Sequence, residues 1–525
     1  MATGKMIYKV RTEAKLSQED FAELFGVSRQ AVQKWECGAS KPELEKLVKI
    51  AKHFDISLDT LVLGSDSRLT DELQNNKEIK PKYNSLSESE LYFCNLMTEY
   101  EQSIEEGLDL EIYHDVFASV ARLPKSEFKK KMGDALFDVV INAPQKEGYP
   151  FEEPSDPEGI KRLRKAHDYA AKTVSREELE RKIHGAWMGR ICGCLLGKSV
   201  EGMRTNELVP FLKETGNYPM HRYILHSDLT DEIIAKYKFR LAHRCYADVV
   251  DGMPVDDDTN YVILSQMIVE KYGRDFTSHN VAKTWLETQP KDAYWTAERV
   301  AFRNFINGYE PPESAVYKNP YREWIGAQIR GDYFGYINPG NPEAAADMAF
   351  RDASISHVKN GIYGEMFAAA MLACAAETDD IEDVIRGGLA QIPATSRLYE
   401  AIDRVIRWYH EGVAETECFN RIHEEYNEYT THGWCHTISN AMIVAAALLY
   451  GKGDYGRSIC MAVETGFDTD CNGATVGSVL GMIHGIDSLD DYWTSPIRDT
   501  LHTSIFGVDT VKISERVKKT MTHII

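Results

Sequence analysis

The sequence predicts an all-α protein, and three observations carry that expectation. From about residue 159 onward nearly every segment repeats its apolar residues at a helical period. Alternation of Val, Ile and Thr, the mark of strands, is scarce. The first sixty residues break into short runs that begin at capping residues and stop at Gly or just past it. A chain of 525 residues, 43% hydrophobic and 27% charged, has an ordinary globular composition. It has room for roughly two to four domains.

The N-terminal elements come first. Ser17-Gln18-Glu19-Asp20 opens a helix with a cap and first-turn acids, Phe21, Leu24 and Phe25 supply its apolar face, and Gly26 stops it. Ser28 caps a second helix, Arg29 to Glu36, which ends near Cys37-Gly38. Pro42 precedes a third, with Leu44, Leu47, Ile50 and Ala51 at helical spacing. Two helices joined by a short turn around a glycine make a helix-turn-helix. Ala22, Val32, Trp35, Leu47 and Ile50 are its expected core.

Residues 65–88 are polar without a sustained apolar period and are expected to be a linker. Residues 89–175 are expected to be a helical connector, irregular around Pro144–Pro157, and residues 176–525 a large helical body. The net charge is −21, yet residues 1–64 hold ten Lys/Arg against nine Asp/Glu. A near-neutral head on a strongly acidic body predicts two modules with different partners. It excludes a protein that coats nucleic acid or anionic membrane with its whole surface. No apolar run approaches the ~20 residues needed to span a bilayer, so no membrane partner is expected. Met1–Met6 carry no signal-peptide stretch, and ten cysteines without repeated spacing predict free thiols. A cytoplasmic location is the expectation.

The run from Leu16-Ser17-Gln18 through Val27-Ser28-Arg29-Gln30 to Lys34-Trp35-Glu36-Cys37-Gly38 closely resembles the Cro/phage-repressor helix-turn-helix family over about residues 4–64. The resemblance implies a small five-helix domain that binds double-stranded DNA as a homodimer on a two-fold site. The helix beginning at Ser28 would enter the major groove. Arg29, Gln30 and Lys34 stand at its base-reading positions, and Gln18 and Ser28 where relatives contact phosphate. The chemistry suits this, since Arg pairs bidentately with guanine and Gln with adenine. The alternative, a module that only docks protein, draws weight from the missing positive charge.

In the body, Asp256-Asp257-Asp258-Thr259 directly precedes a helical run from Tyr261 to Val269. Three adjacent carboxylates gain a little from the helix dipole but repel one another. Alone, they read as an exposed, over-acidic cap. A second cluster shifts that balance: Asp468-Thr469-Asp470-Cys471 opens a helix carrying Gly473, Gly477 and Gly481, four apart, a smooth stripe that lets another helix come close. Two oxygen-rich clusters on separate helices would suit two hard divalent ions. Magnesium is preferred because no His/Cys set selects zinc.

Four motifs then stand in the order of the ADP-ribosylglycohydrolase family, which the body resembles over about residues 180–490. They are Gly185-Ala186-Trp187-Met188-Gly189 with Gly193 to Glu201, then Asp257-Asp258-Thr259. Gly340-Asn341-Pro342-Glu343 with Asp352 to His357 follows, and last comes Asp468-Thr469-Asp470 with its glycine-rich helix. The resemblance implies a large all-α hydrolase domain that cleaves an ADP-ribosyl bond at the distal ribose. It implies two Mg2+, with Mn2+ as the alternative, held by Asp257 and Asp258 from one side and by Asp468 and Asp470 from the other. Asp256 and Cys471 would complete the metal set. Glu201 would position or deprotonate the water, with Asp257 and Asp258 completing the catalytic group. His357 and Gly361 would contact the ribose side of the ligand. Three positions depart from the family pattern: Asp256 stands where many members have Thr, Cys471 where a hydroxyl residue is common, and Cys194 where an acid is usual.

Asp332 in Arg330-Gly331-Asp332 reads equally as a pocket residue or a surface acid, and Asp352 as structural. His432 and His436, four apart, have no visible third ligand and are expected to pack or to line the substrate site. Met366 and Met371 are expected in the core. Two functions remain: a metal-dependent hydrolase of ADP-ribosyl bonds fused to a DNA-binding head, or a transcriptional regulator whose hydrolase-like body senses ADP-ribose or a related nucleotide with little turnover. A hydrolase of another ribosyl or nucleotide-linked substrate is a third reading.

Overall fold

The computed structural model describes residues 2–56, 58–63 and 81–525. Two compact units divide the chain, Met1–Lys82 and Tyr83–Ile525. Most of the expected linker, residues 65–80, lies outside the described residues.

The first unit holds helices α1 (Ala2–Glu13), α2 (Gln18–Leu24), α3 (Arg29–Glu36), α4 (Leu44–His53) and α5 (Leu58–Leu63). Ser17 accepts a hydrogen bond from the Asp20 N–H while Asp20 reaches back to the Ser17 N–H, a capping box that satisfies two otherwise orphaned donors. Gly26, at φ +61, makes the turn between α2 and α3. Ile7, Phe21, Val32, Ile50 and Leu61 are fully buried, with Trp35 and Ala22 beside them and Leu47 packed at the edge. The head thus has its own small core.

The second unit is helical apart from one antiparallel hairpin among the described residues, Thr500–His502 against Thr510–Lys512. Its site-building helices are α6 (Leu96–Glu105), α7 (Arg176–Lys198), α8 (Thr205–Glu214), α9 (Asp257–Tyr272), α10 (Thr296–Ile306), α11 (Lys359–Ala375), α12 (Thr437–Gly451) and α13 (Thr469–His484). Helices α11 and α12 are apolar almost all round and buried along nearly their whole lengths, as an element at the centre of a large core must be. Met366 and Met371 lie in that core. No helix among the described residues is long and apolar enough to cross a membrane.

Residues 83–175 pack into this unit. Arg322, buried, pairs with Glu99 at 2.7 Å and with Glu106 at 2.6 Å, and Gln102 donates to Glu323 at 2.5 Å. Such buried charges persist only when every partner is in place.

Helices α7 and α13 run antiparallel in backbone contact. A Cβ on Gly185, Gly189 or Gly193 would fall inside the van der Waals radius of the carbonyl oxygen of Gly481, Gly477 or Gly473 respectively, and the reverse holds for each partner. A Cβ on Gly197 would strike the Thr469–Asp470 peptide. The stripe on α13 was legible beforehand, and its mate proves to be the first motif. Because the pair is antiparallel, the C-terminal end of α7, with Lys198 and Glu201 after it, meets the N-terminal end of α13, with Asp468 and Asp470.

Candidate functional site

Helix α9 brings its own N-terminus to the same place. Asp256 is the N-cap: its Oδ1 accepts from the Asp258 N–H at 2.9 Å, while its Oδ2 pairs with Lys198 at 2.5 Å. Asp256, expected among the metal ligands, therefore has both oxygens engaged. Asp258 is fully buried; Arg190 of α7 holds its Oδ1 at 2.9 Å, and the Cys471 thiol donates to its Oδ2 at 3.1 Å. Asp257 is half-buried and lines a cavity of about 170 Å³ together with Glu201, Asp468, Asp470 and Cys471. One potential ligand atom each from Asp258, Asp470 and Cys471 lies within 4.8 Å of the others.

The electrostatics follow from the crowding. Burial, then Asp468 and Asp256, push the Glu201 carboxyl up to about 7. Burial drives Asp258 up to about 8 despite the Arg190 guanidinium. Asp257 and Asp470 rise well above the carboxylate range through burial and through each other's neighbours. The Cys471 thiol is pushed up too, so it stays a neutral donor to Asp258. Lys198 and Arg190 offset two of these charges, and Asp470 Oδ1 is buried without a hydrogen-bond partner. A set made mostly of carboxylates, with one orphaned carboxylate oxygen and a deficit of positive charge, fits a hard divalent cation, and the Cys471 sulfur is its one soft member.

The remaining cavity wall is largely aromatic and was not foreseen: Trp295, Trp324 and Trp434, with Cys435 and Glu298. Glu298 of α10 lies against Gly326, where any Cβ would collide with its carboxylate, and accepts from Arg330 at 3.1 Å. Arg330 also pairs with Asp352 at 2.5 Å and Glu365 at 3.5 Å, all buried. Asp352 is structural in this sense. Burial raises Glu298 to about 7, well above the ~4.3 of an unfolded glutamate. The folded chain thus holds a proton that the unfolded chain has lost between those values, and Glu298 costs stability increasingly as pH rises from ~4.3 to about 7. Glu298→Gln is expected to flatten that fall, measured as the wild-type-minus-variant difference in denaturation midpoint between pH 5 and pH 8. An unchanged difference would contradict the burial argument.

Other expected residues fall elsewhere. His357 and Gly361 are fully buried and touch each other at the start of α11; neither lines the cavity. His357 Nδ1 lies 2.8 Å from the Ser356 hydroxyl. Asp332 is neither a surface acid nor a wall residue. It is fully buried beneath the cluster, 3.0 Å from Arg190, the cation it shares with Asp258. His432 and His436 do gain a third group, Glu105 of α6, whose Oε2 stands 3.1 and 3.4 Å from their Nε2 atoms. Each Nδ1 accepts an N–H, from Trp324 and from Ile438, so each Nε2 carries the proton. Burial opposes ionisation of Glu105, but the two imidazoles and Arg397 hold it at about 2. The three ligand atoms lie within 4.8 Å of one another, close enough to hold a cation, while the Nδ1 contacts favour imidazoles that clamp the Glu105 carboxylate.

In the head, Ser28 caps α3, and Arg29, Gln30 and Lys34 are exposed along it, with Gln33 between them, which sequence reasoning passed over. Val32 and Trp35 anchor the opposite face. Gln18 donates to Glu36 at 2.7 Å, and Glu36 is also bound by Arg11. Arg29 stands 3.4 Å from Glu19, an exposed pair of little strength.

A family model described as ADP-ribosylglycohydrolase matches residues 175–521, and one described as helix-turn-helix matches residues 7–61. The HTH-type transcriptional activator BcrR of Enterococcus faecalis is 36% identical over 84 residues, covering 16% of this chain and 41% of that protein. The SPbeta prophage-derived uncharacterized HTH-type transcriptional regulator YonR of Bacillus subtilis (strain 168) is 30% identical over 105 residues, 19% of this chain and 97% of that one. The chain thus spans about two-fifths of the length of BcrR and nearly all of YonR. A solved structure described as an ADP-ribosylglycohydrolase-related protein complex aligns at a TM-score of 0.40 and 15% identity, over 66% of this chain and 98% of the other.

Proposed function

We propose that this chain, which belongs to the ADP-ribosylglycohydrolase family and carries a helix-turn-helix domain at its N-terminus, is a metal-dependent hydrolase of ADP-ribosyl bonds. The head directs it to double-stranded DNA. The observation that supports the enzymatic reading most is the convergence of Glu201, Asp257, Asp468 and Asp470 on one small cavity. Asp257, Asp468 and Asp470, which face the cavity, would hold two divalent ions, Mg2+ by preference and Mn2+ as the alternative, with Asp258 joining them on release of the Cys471 thiol, and the charge of the ions would fix the ribose hydroxyls and the water. Asp256 and Lys198 close the α9 terminus, and Arg190 orients Asp258. Glu201 would take a proton from the water as it adds to the anomeric carbon while the bond from that carbon to the acceptor breaks, and would pass the proton to the departing acceptor, a role suited to a carboxyl near 7. The surrounding carboxylates favour the positive oxocarbenium-like state over the neutral ground state. The acceptor from which ADP-ribose is cut is a matter for the substrate panel below.

On the DNA side, Arg29, Gln30 and Lys34 would read bases and Ser28 would meet phosphate, with Gln18 beside them; the chain would act as a homodimer on a two-fold operator in the cytoplasm. The second reading, a regulator that binds ADP-ribose with little turnover, is favoured by one feature, the Cys471 thiol on Asp258 where a hydroxyl is common.

The test is release of free ADP-ribose from a panel of ADP-ribosylated arginine, serine, acyl and nucleic-acid substrates, with magnesium and with chelator. Magnesium-dependent release is the expected result. Binding of ADP-ribose without release from any substrate would establish the sensor instead. Selected operator DNA should lose about 1–3 kcal/mol of affinity with Gln30→Ala. Equal affinity for that variant would remove Gln30 from base reading.

A further inference from the structure

One stretch of the acidic body runs against its charge. Residues 233–247 carry Lys236, Lys238, Arg240, His243 and Arg244 and no Asp or Glu. The stretch is firmly anchored. Tyr237, Leu241 and Tyr246 are buried in the body's core. The Tyr246 hydroxyl donates to the Leu241 carbonyl at 2.6 Å, and the Glu207 carboxylate of α8 accepts the Lys238 N–H at 2.7 Å. Between those anchors Lys238, Arg240 and His243 are exposed. Lys236 is bound by Glu214. Lys238, Arg240 and His243 form no ion pair among the described residues. Neighbouring cations repel, and a chain of net charge −21 has carboxylates in plenty with which to pair them. Three unpaired basic side chains on one anchored segment suit a surface that meets an anion from outside.

The segment touches the cavity wall at its far end. Arg244 stacks on Phe239, 4.5 Å from the ring centroid, and donates to the Glu201 carbonyl oxygen at 2.9 Å. Glu201 lines the carboxylate cavity. Phe239 lies over Gly202, its ring 4.0 Å from where a Cβ would sit. The basic segment thus adjoins the residue that would activate the water. Trp295, the residue that enters α10, lines the same cavity and is 57% exposed, an open ring on its wall. Exposed cations together with an accessible aromatic ring are what hold a single strand of nucleic acid: the cations follow the phosphates and the ring stacks a base. An acidic peptide would satisfy the cations but has no use for the ring.

We propose that Lys238, Arg240 and His243 form a surface for the phosphates of a nucleic-acid strand, that Trp295 stacks one of its bases, and that the acceptor from which ADP-ribose is cut is a nucleic acid. This names the substrate class of the hydrolase reading and rests on that reading for the cut itself. Water adds to the anomeric carbon, the bond from that carbon to the nucleic-acid atom breaks, and that atom keeps the electron pair and takes up the proton. The two modules then share one kind of partner: the head would meet double-stranded DNA, and the body a modified strand.

The test uses the full-length protein and a short single-stranded DNA, unmodified and ADP-ribosylated, beside an ADP-ribosylated arginine peptide of no net charge. Wild type is compared with Lys238→Gln/Arg240→Gln, with Trp295→Ala, and with Arg29→Ala/Lys34→Ala in the head. Thermal melting of each variant checks the fold. By fluorescence anisotropy, Lys238→Gln/Arg240→Gln is expected to bind the unmodified strand about tenfold more weakly, with a salt slope shallower by about 1.4, at about 0.7 for each phosphate contact. Trp295→Ala is expected to lose about fivefold or more through one stacking contact. The head variant should bind the strand as wild type does. For Lys238→Gln/Arg240→Gln, kcat/KM on the ADP-ribosylated strand should fall by the same tenfold while that on the peptide stays. Wild-type strand affinity in that variant, or a loss that follows the head variant instead, would overturn the surface and leave the hydrolase reading intact. Release from the peptide alone, or equal losses on strand and peptide, would overturn the nucleic-acid acceptor. The expected binding losses without release from either substrate would keep the surface and overturn the hydrolase reading.

Discussion

Asp257→Asn combined with Asp468→Asn is expected to abolish magnesium-dependent release of ADP-ribose, a loss of at least about 1,000-fold, while the chain stays folded. The expectation comes from the charge balance of the cavity. Asp257 and Asp468 both line it, neither is paired with Lys198 or Arg190, and each raises the proton affinity of its neighbours. The two substitutions remove the charge that would attract a divalent ion, with little change of shape. Stability should then move in opposite directions with and without metal. In chelator the double variant should melt higher than wild type, because two mutually repelling carboxylates are gone. In magnesium only wild type should gain, since a ligand that binds the folded state stabilises it in proportion to the logarithm of its concentration over Kd. A wild-type melting temperature indifferent to magnesium, or a double variant that retains turnover, would remove the metal cluster from the mechanism.

Gly193→Val should cost about 3 kcal/mol or more, or prevent folding outright. A glycine inside a helix is itself disfavoured by about 1 kcal/mol relative to alanine, and α7 carries four of them at intervals of four, facing three on α13. That expense is explained only by the backbone contact between the helices. A side chain at Gly193 would occupy the place of the Gly473 carbonyl. Gly477→Val should behave the same way, from the other side and one turn along. Urea denaturation gives the comparison, with Gly216→Ala as the reference: a Cβ there meets nothing within 4 Å, and its cost is only the backbone strain of φ +66. If either valine variant denatured at the wild-type midpoint, the close packing of α7 on α13 would be wrong. The consequence reaches the site, because this contact brings the end of α7 and the following Glu201 beside Asp470. A partly folded variant should lose its magnesium response while every carboxylate remains in the chain.

Much of this was legible before the structure. Helical period, caps and stops at Ser17, Gly26 and Ser28 place α2 and α3, because those signals act within a few residues and need no tertiary partner. The two aspartate clusters were visible as motifs, but either one alone reads as an over-acidic helix cap, and only their occurrence together pointed to a shared site. Asp332 could not be placed: its neighbours in sequence permit a loop surface or a buried helix, and only the position of Arg190, 142 residues earlier, decides for burial. The clamp on His432 and His436 was equally hidden, since its third member, Glu105, comes from a different region of the chain. Glu298 gave no signal, being one glutamate on an ordinary amphipathic helix until Gly326 and Arg330 surround it.

The amino-acid sequence by itself determined the helical class, the helix-turn-helix with the helix that Ser28 caps, the two acidic helix starts and the family to which the body belongs. These are written in local periodicity and in short motifs, whose physics is that of single helices and their ends. The tertiary structure alone decided which carboxylates are free and which are spent, because a charge is neutralised by whatever lies across space rather than along the chain. It made Asp256 a cap paired with Lys198, tied Asp258 to Arg190 and Cys471, and left Asp257, Asp468 and Asp470 facing the cavity.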